Sequence, residues 1–151
     1  MTKRELGENY FKMGYNCAQA VALAFENELN LDKDFIAKAV SGFGGGFGRM
    51  REVCGAVSGM VFVLSAIEGS FDPADNNAKM QTYQKVQYLM KEFKLKNGSY
   101  ICRELLALPE QNSQPTPELR TDAYYKKRPC AELVYDAAEI LEKLIYEKEN
   151  K

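Results

Sequence analysis

Histidine is absent from the 151 residues. With it go the commonest acid/base group near neutral pH and the commonest metal ligand. Cys-His nucleophile pairs, histidine-ligated zinc and c-type haem attachment go too. Paired C-x-x-C knuckles, the strong mark of a zinc ribbon, are also missing. Neither charge sign is in surplus: 20 basic residues face 21 acidic ones, a net charge of −1. A protein that coats nucleic acid carries a basic surplus, so no nucleic-acid partner is expected. Long hydrophobic runs are lacking as well. The longest apolar stretch, Gly59 to Ala66, is far too short to cross a bilayer, so no membrane insertion is expected. The N-terminal MTKRELGENYFKMG is charged, with no apolar segment behind it, and does not read as a secretory signal. The expected location is the cytoplasm. Thiols stay reduced there, and cysteines more often serve metal or redox chemistry than structural bridges.

The length suits one domain, residues 1–151, around one core. The hydrophobic spacing reads as helix after helix. A first helix is expected from Lys3 to Met13, ended by Gly14, and a second from an Asn16 cap through CAQAVALAFENELN. Asp32 or Asp34 starts a short helix through Phe35, Ile36 and Val40. Val53, Val57, Met60, Val61, Leu64 and Ile67 then recur at helical spacing in a segment that is apolar almost all round, which predicts a buried central helix closed by Gly69. Asp72-Pro73 is read as the opening of a long amphipathic helix, with Met80, Tyr83, Val86, Gln87, Met90 and Phe93 on its apolar side and Asn97-Gly98 at its end. Ser99 is read as the cap of YICRELLAL. PEQNSQPTPELRTD, with three prolines, reads as a surface loop with at most a helical turn. A last helix is expected from Pro129 to Glu147 with Leu133, Ala137, Ile140, Leu141, Leu144 and Ile145 on one face. With no convincing strand and no internal repeat, the predicted class is all-α: a compact single-domain bundle with a glycine-rich turn before its central helix.

Two features of this map are chemically loud. The first is SGFGGGFGRMREVCGAVSG, Ser41 to Gly59, with five glycines between positions 42 and 48. The second is the placement of the four cysteines. Cys17, Cys54, Cys102 and Cys130 all fall in the first turn of a predicted helix. That turn carries unpaired N–H groups and partial positive charge, which favour thiolate over thiol. Arg49 and Arg51 precede Cys54, Arg103 follows Cys102, and Arg128 precedes Cys130. Thiols held this way suit redox exchange or the gripping of a soft metal. Against this stands plain packing, because free cysteine is among the most buried residue types and behaves as a small hydrophobe.

The order of a cysteine in an early helix, a glycine-rich turn, Cys54-Gly55-Ala56-Val57-Ser58-Gly59, then two single cysteines resembles a family of redox-active proteins of about this length. That family is named for the pattern C…CGAxxG…C…C. The resemblance spans nearly the whole chain. It implies a cysteine site at Cys17, Cys54, Cys102 and Cys130, acting catalytically or as metal ligands. It does not choose between a disulfide couple, a zinc ion and an iron–sulfur cluster.

Gly55, Ala56 and Gly59 place nothing larger than a methyl on one side of the central helix. Glycine inside a helix costs roughly 1 kcal/mol relative to alanine, so close approach by another backbone or a cofactor is expected there. Ser41 to Gly48 is expected to need positive φ at several positions, to bring Cys54 against the helix of Cys17, and to be pinned by Phe43 and Phe47. A rival role for the turn is a phosphate cradle, but GFGGGFG does not fit G-x-G-x-x-G and lacks the Walker Lys-Ser/Thr pair. Tyr124-Tyr125 with Lys126, Lys127 and Arg128 reads as a solvated basic-aromatic stretch before the last helix. The leading expectation is a small redox protein working with a partner protein or a small oxidant or reductant. The alternative is a non-catalytic module in which the glycine turn, Arg49 and Arg51 hold a small anion and the cysteines fill the core. An exposed apolar face on the central or last helix would serve a homodimer.

Overall fold

The computed structural model describes residues 1–108 and 114–147. Part of the expected surface loop, 109–113, therefore lies outside the described residues. Among the described residues the chain is all-α. Its helices are α1 (Lys3–Lys12), α2 (Cys17–Ala24), α3 (Glu26–Leu29), α4 (Lys33–Ala39), α5 (Gly55–Glu68), α6 (Asn76–Asn97), α7 (Cys102–Leu105), α8 (Asp122–Lys127) and α9 (Cys130–Glu147). The closest thing to a sheet is one isolated antiparallel bridge, Val53 with Ile101.

α2 and α5 form the centre. α1 and α9 pack on α2 and on each other, and α6 packs on α5 and α9. Ala20, Val21, Ala22, Leu23, Ala24 and Phe25 are all buried, so α2 is enclosed all round as well as α5. Its alanines let neighbours approach from several sides. Phe11, Phe25, Phe93, Leu23, Ile36 and Met60 are the largest wholly buried side chains. In α5 everything from Gly55 to Met60 is buried, whereas the last turn, with Ile67, reaches solvent.

Local chemistry sets the start of α2. Asn16 Oδ1 accepts from the Gln19 N–H at 2.9 Å, and Gln19 Oε1 accepts from the Asn16 N–H at 3.0 Å. This reciprocal box satisfies two helix-start donors. The same two side chains donate to Ser41 O and Ala37 O, which ties Cys17 to the glycine turn and to α4.

Three expectations need correction. The second helix breaks at Phe25 into α2 and α3, and Asn30 then turns left-handed with φ 52°. The long helix starts at an Asp75 cap, whose side chain accepts from Ala78 N–H, not at Asp72-Pro73. Asp72 instead accepts from Ala74 N–H in a preceding turn. Met80 and Tyr83 lie in solvent, and the buried face of α6 is carried by Leu89 and Phe93.

Candidate functional site

The glycine turn is a left-handed coil. φ is positive at Gly45, Gly46, Phe47, Gly48, Arg49 and Arg51. A non-glycine residue pays roughly 1–2 kcal/mol in that region, so Phe47, Arg49 and Arg51 are held there by their surroundings. The backbone N–H groups of residues 47 to 52 all donate to carbonyls, those of Phe43, Gly42, Gly44, Phe47, Gly45 and Gly46 in turn. Those donors are spent inside the turn, which removes them from any phosphate cradle. Phe43 packs against the core and meets Phe47 edge-on at 5.1 Å, but Phe47 itself is exposed. Only Phe43 pins the turn.

Chain 51–54 leaves the turn and pairs with 100–103. Cys54 N–H donates to Tyr100 O at 2.8 Å, Cys102 N–H to Glu52 O at 2.6 Å, and Arg103 N–H to Arg51 O at 3.2 Å. This short ladder sets Cys54 at the N-cap of α5 and Cys102 at the first residue of α7. Cys17 opens α2 and Cys130 opens α9. All four cysteines are free and at helix starts. All four line one cavity of about 360 Å³.

Gly55 lines the cavity too, and a Cβ there would lie 3.2 Å from Cys17 Cβ and 3.1 Å from Phe43 O. Ala56 and Gly59 sit deeper. A Cβ on Gly59 would lie 2.7 Å from Ala18 O, so this glycine admits the backbone of α2. Their contact is helix against helix.

The cavity wall is unusually cationic. Arg49, Arg51, Arg120 and Arg128 all line it, with Glu118 and Tyr124. Arg51 and Arg128 are buried. Arg128 pairs with Glu118, and Arg49 lies 3.8 Å from the same carboxylate. Arg51 Nη1 approaches Cys102 Sγ at 3.7 Å, so the arginine expected beside Cys54 reaches Cys102. Arg103 instead pairs with Glu52 at 2.8 Å. Arg120 donates to Phe11 O and Tyr15 O at 2.9 and 3.0 Å and lies over the Phe11 ring at 4.2 Å. Tyr124 is half-buried beside it, so the Tyr-Tyr stretch is not the solvated segment expected. Arg120 and Glu118 were not singled out by sequence. Their partners stand about a hundred positions away or on another element, and no local pattern announces them.

The expectation that helix starts lower all four thiols fails for three. Helix ends contribute about 0.3–2 kcal/mol, whereas full burial can move a pKa by several units. Burial wins at Cys54, pushed up to about 12, although the Ala56 and Val57 N–H groups pull the other way. Burial also raises Cys102, against the pull of Arg51. Cys17 and Cys130 form a pair. The neighbouring Cys130 sulfur, and then burial, hold Cys17 well above its ordinary value. Cys130 is lowered by the neighbouring Cys17, with Arg128, Arg120 and Arg51 adding to it against burial. Of the four thiols in the cavity, Cys130 is therefore the one that ionises most readily.

These directions predict alkaline instability. Raising Cys54 from 9.0 to about 12 on folding is worth on the order of 4 kcal/mol. That stabilisation is complete below pH 9 and is lost as pH rises towards the folded value. Cys130 has the opposite sign: its contribution is present above pH 9 and fades as pH falls through its lowered value. Urea midpoints should therefore fall steadily between pH 9 and 11, and Cys54→Ala should flatten much of that slope. Constant midpoints across the range would contradict the burial argument.

Among the described residues no three Cys, Asp or Glu side chains are placed to hold a metal ion together. The four thiols share a cavity without forming a ready ligand set for zinc or an iron–sulfur cluster. No helix among the described residues is long and apolar enough to cross a membrane.

A family profile described as "Putative redox-active protein (C_GCAxxG_C_C)" matches residues 15–144, a span that holds all four cysteines. That name writes the middle motif as GCAxxG, not the CGAxxG expected from the sequence; the chain has Cys54-Gly55-Ala56 there. No curated protein and no solved structure matches the chain.

Proposed function

The chain belongs to the C_GCAxxG_C_C family, and from that premise we propose that it is a thiol–disulfide redox protein whose first reacting pair is Cys130 and Cys17. The observation that carries this reading is the cavity that Cys17 and Cys130 share, with Arg51, Arg120 and Arg128 in its wall favouring the Cys130 thiolate. The Cys130 thiolate attacks one sulfur of an incoming disulfide, forming a mixed disulfide and releasing the first leaving thiolate. The proton of Cys17 goes to that leaving sulfur. The Cys17 sulfur then attacks Cys130 and expels the second thiolate. The balance is two electrons: the incoming disulfide becomes one thiol and one thiolate, which takes its proton from water, and the pair becomes a disulfide. Read in the other direction, the same steps oxidise a dithiol. A reducing compartment such as the cytoplasm would return the pair to its thiol form.

The donor set favours this over a metal centre, because two neighbouring sulfurs suffice for it whereas a cluster needs three or four converging ligands. Cys54 and Cys102, joined through the short ladder, stand in the same cavity as a reserve pair. The test is to oxidise the reduced protein with one equivalent of a small disulfide, block the remaining thiols and map the bonds. A Cys17–Cys130 bond is expected. In Cys17→Ser the mixed disulfide on Cys130 should persist, because nothing resolves it. A first bond between Cys54 and Cys102, or an unbonded Cys130, would overturn the assignment.

A further inference from the structure

The thiol pair does not face a neutral pocket. The described lining holds four guanidinium groups, Arg49, Arg51, Arg120 and Arg128, and a single carboxylate, Glu118. Glu118 is shared between Arg128 and Arg49, and the Cys130 thiolate adds one more negative charge. With Arg51 left out of the count, since it is engaged at Cys102, Arg49, Arg120 and Arg128 still leave one positive charge in excess in the described lining, where a low-dielectric wall strengthens the field. Arg49 carries the mark of this crowding: burial, then Arg51 and Arg128, hold its pKa below the ordinary value. Two of the four, Arg49 and Arg51, sit at positive φ, so the backbone is strained at the residues that aim charge at the cavity. Strain kept at such positions marks a site where geometry is in use.

The cavity also limits the visitor. At about 360 Å³ it lies at the small end of small-molecule sites. Cys130 is 7% exposed and Cys54 3%, so a disulfide on the surface of a folded protein could not reach the sulfurs. Gly44, Gly45 and Gly48 form part of the wall, and this bare backbone widens the space where side chains would close it.

Resting on the dithiol reading above, we propose that the cavity selects a small disulfide bearing carboxylates, or an equivalent anionic group, as its oxidised substrate. The arginines hold the anionic ends while Cys130 attacks the S–S bond. The two departing thiolates keep their carboxylates, and the electron count is the one already given.

The experiment compares three reagents of one size and one spacing: 3,3′-dithiodipropionate (anionic), 2-hydroxyethyl disulfide (neutral) and cystamine (cationic). Each rate of oxidation of the reduced protein is divided by that reagent's rate with a small neutral thiol, which removes intrinsic reactivity. At low salt the anionic reagent should be favoured over the neutral one by about tenfold or more, with the cationic one slowest. High salt and Arg49→Gln should each pull the anionic-to-neutral ratio towards one. Equal normalised rates for all three would overturn the charge selection and leave the dithiol chemistry standing. Failure of every reagent to form the Cys17–Cys130 bond would instead remove the dithiol reading, and this inference with it. The salt series on the unmodified protein keeps the test decisive should Arg49→Gln fold poorly.

Discussion

Replacing Cys130 by serine is expected to lower the rate at which the reduced protein consumes a small disulfide at pH 7 by about a hundredfold or more. Exchange needs thiolate. The other three thiols are all raised, and Cys54, at about 12, is ionised to only about one part in 10⁵ at neutral pH. Cys130 alone is lowered, by the neighbouring Cys17 and then by the arginines. Lowering a thiol pKa also blunts its nucleophilicity, yet the trade is favourable here. Each unit lost above ambient pH gains about tenfold in thiolate and sacrifices about threefold in intrinsic rate. The pH profile carries a second signature. In the native protein the rate should climb through the Cys130 titration and level off below the ordinary thiol value. In Cys130→Ser the small remaining rate should still be climbing at pH 9 and beyond, because burial still raises Cys17, Cys54 and Cys102. Stopped-flow consumption of 2-hydroxyethyl disulfide across pH 5 to about 10 reads both effects. A variant that keeps most of the rate at pH 7 would move the nucleophile elsewhere, and the pair assignment would go with it.

That asymmetry among the thiols marks the boundary between what sequence can and cannot carry. Placement was legible. Asn16, Cys54 at the head of the apolar run, and Pro129 before the last amphipathic stretch are local signals, and α2, α5 and α9 start where they say, within a residue. Convergence of the four cysteines on one cavity was an expectation, grounded in the resemblance and in their shared helix-start placement. The ionisation order was not legible, because burial outweighs the helix-end effect and burial is a property of the packed whole. Arg120 shows the same limit. It reaches Phe11 O and Tyr15 O across more than a hundred residues, and its own neighbours look like loop. At the head of α6 the difficulty is different. Asp72 and Asp75 both obey the capping rule, and both cap something, a turn and the helix respectively. A local rule satisfied twice in four residues cannot rank its own solutions.

Gly46→Ala is expected to be the most damaging single methyl in the chain, at about 2–5 kcal/mol of stability. Two costs add. Gly46 sits at φ 73°, where an alanine pays roughly 1–2 kcal/mol. Its Cβ would also fall 2.6 Å from Glu52 N and 2.8 Å from Cys102 Cβ, and overpacking of that kind costs about 1–3 kcal/mol. Gly48→Ala is the matched control. Its φ is 59°, but nothing lies within 4 Å of the added carbon, so only the conformational cost applies. The difference between their urea-derived stabilities therefore isolates the contact between the turn and the site. Gly46→Ala should also disturb Cys102, since the Glu52 N–H that would be displaced belongs to the short stretch whose carbonyl receives the Cys102 N–H. An altered alkylation rate at Cys102 in Gly46→Ala and not in Gly48→Ala would tie the glycines to the thiol. Equal losses in the two variants would mean that the turn uses glycine for its backbone freedom alone. The five glycines then have separable reasons. Gly48 is there for its φ. Gly46 is there because the backbone of Glu52 and the side chain of Cys102 occupy the space a side chain would need, and the cavity is built around that absence.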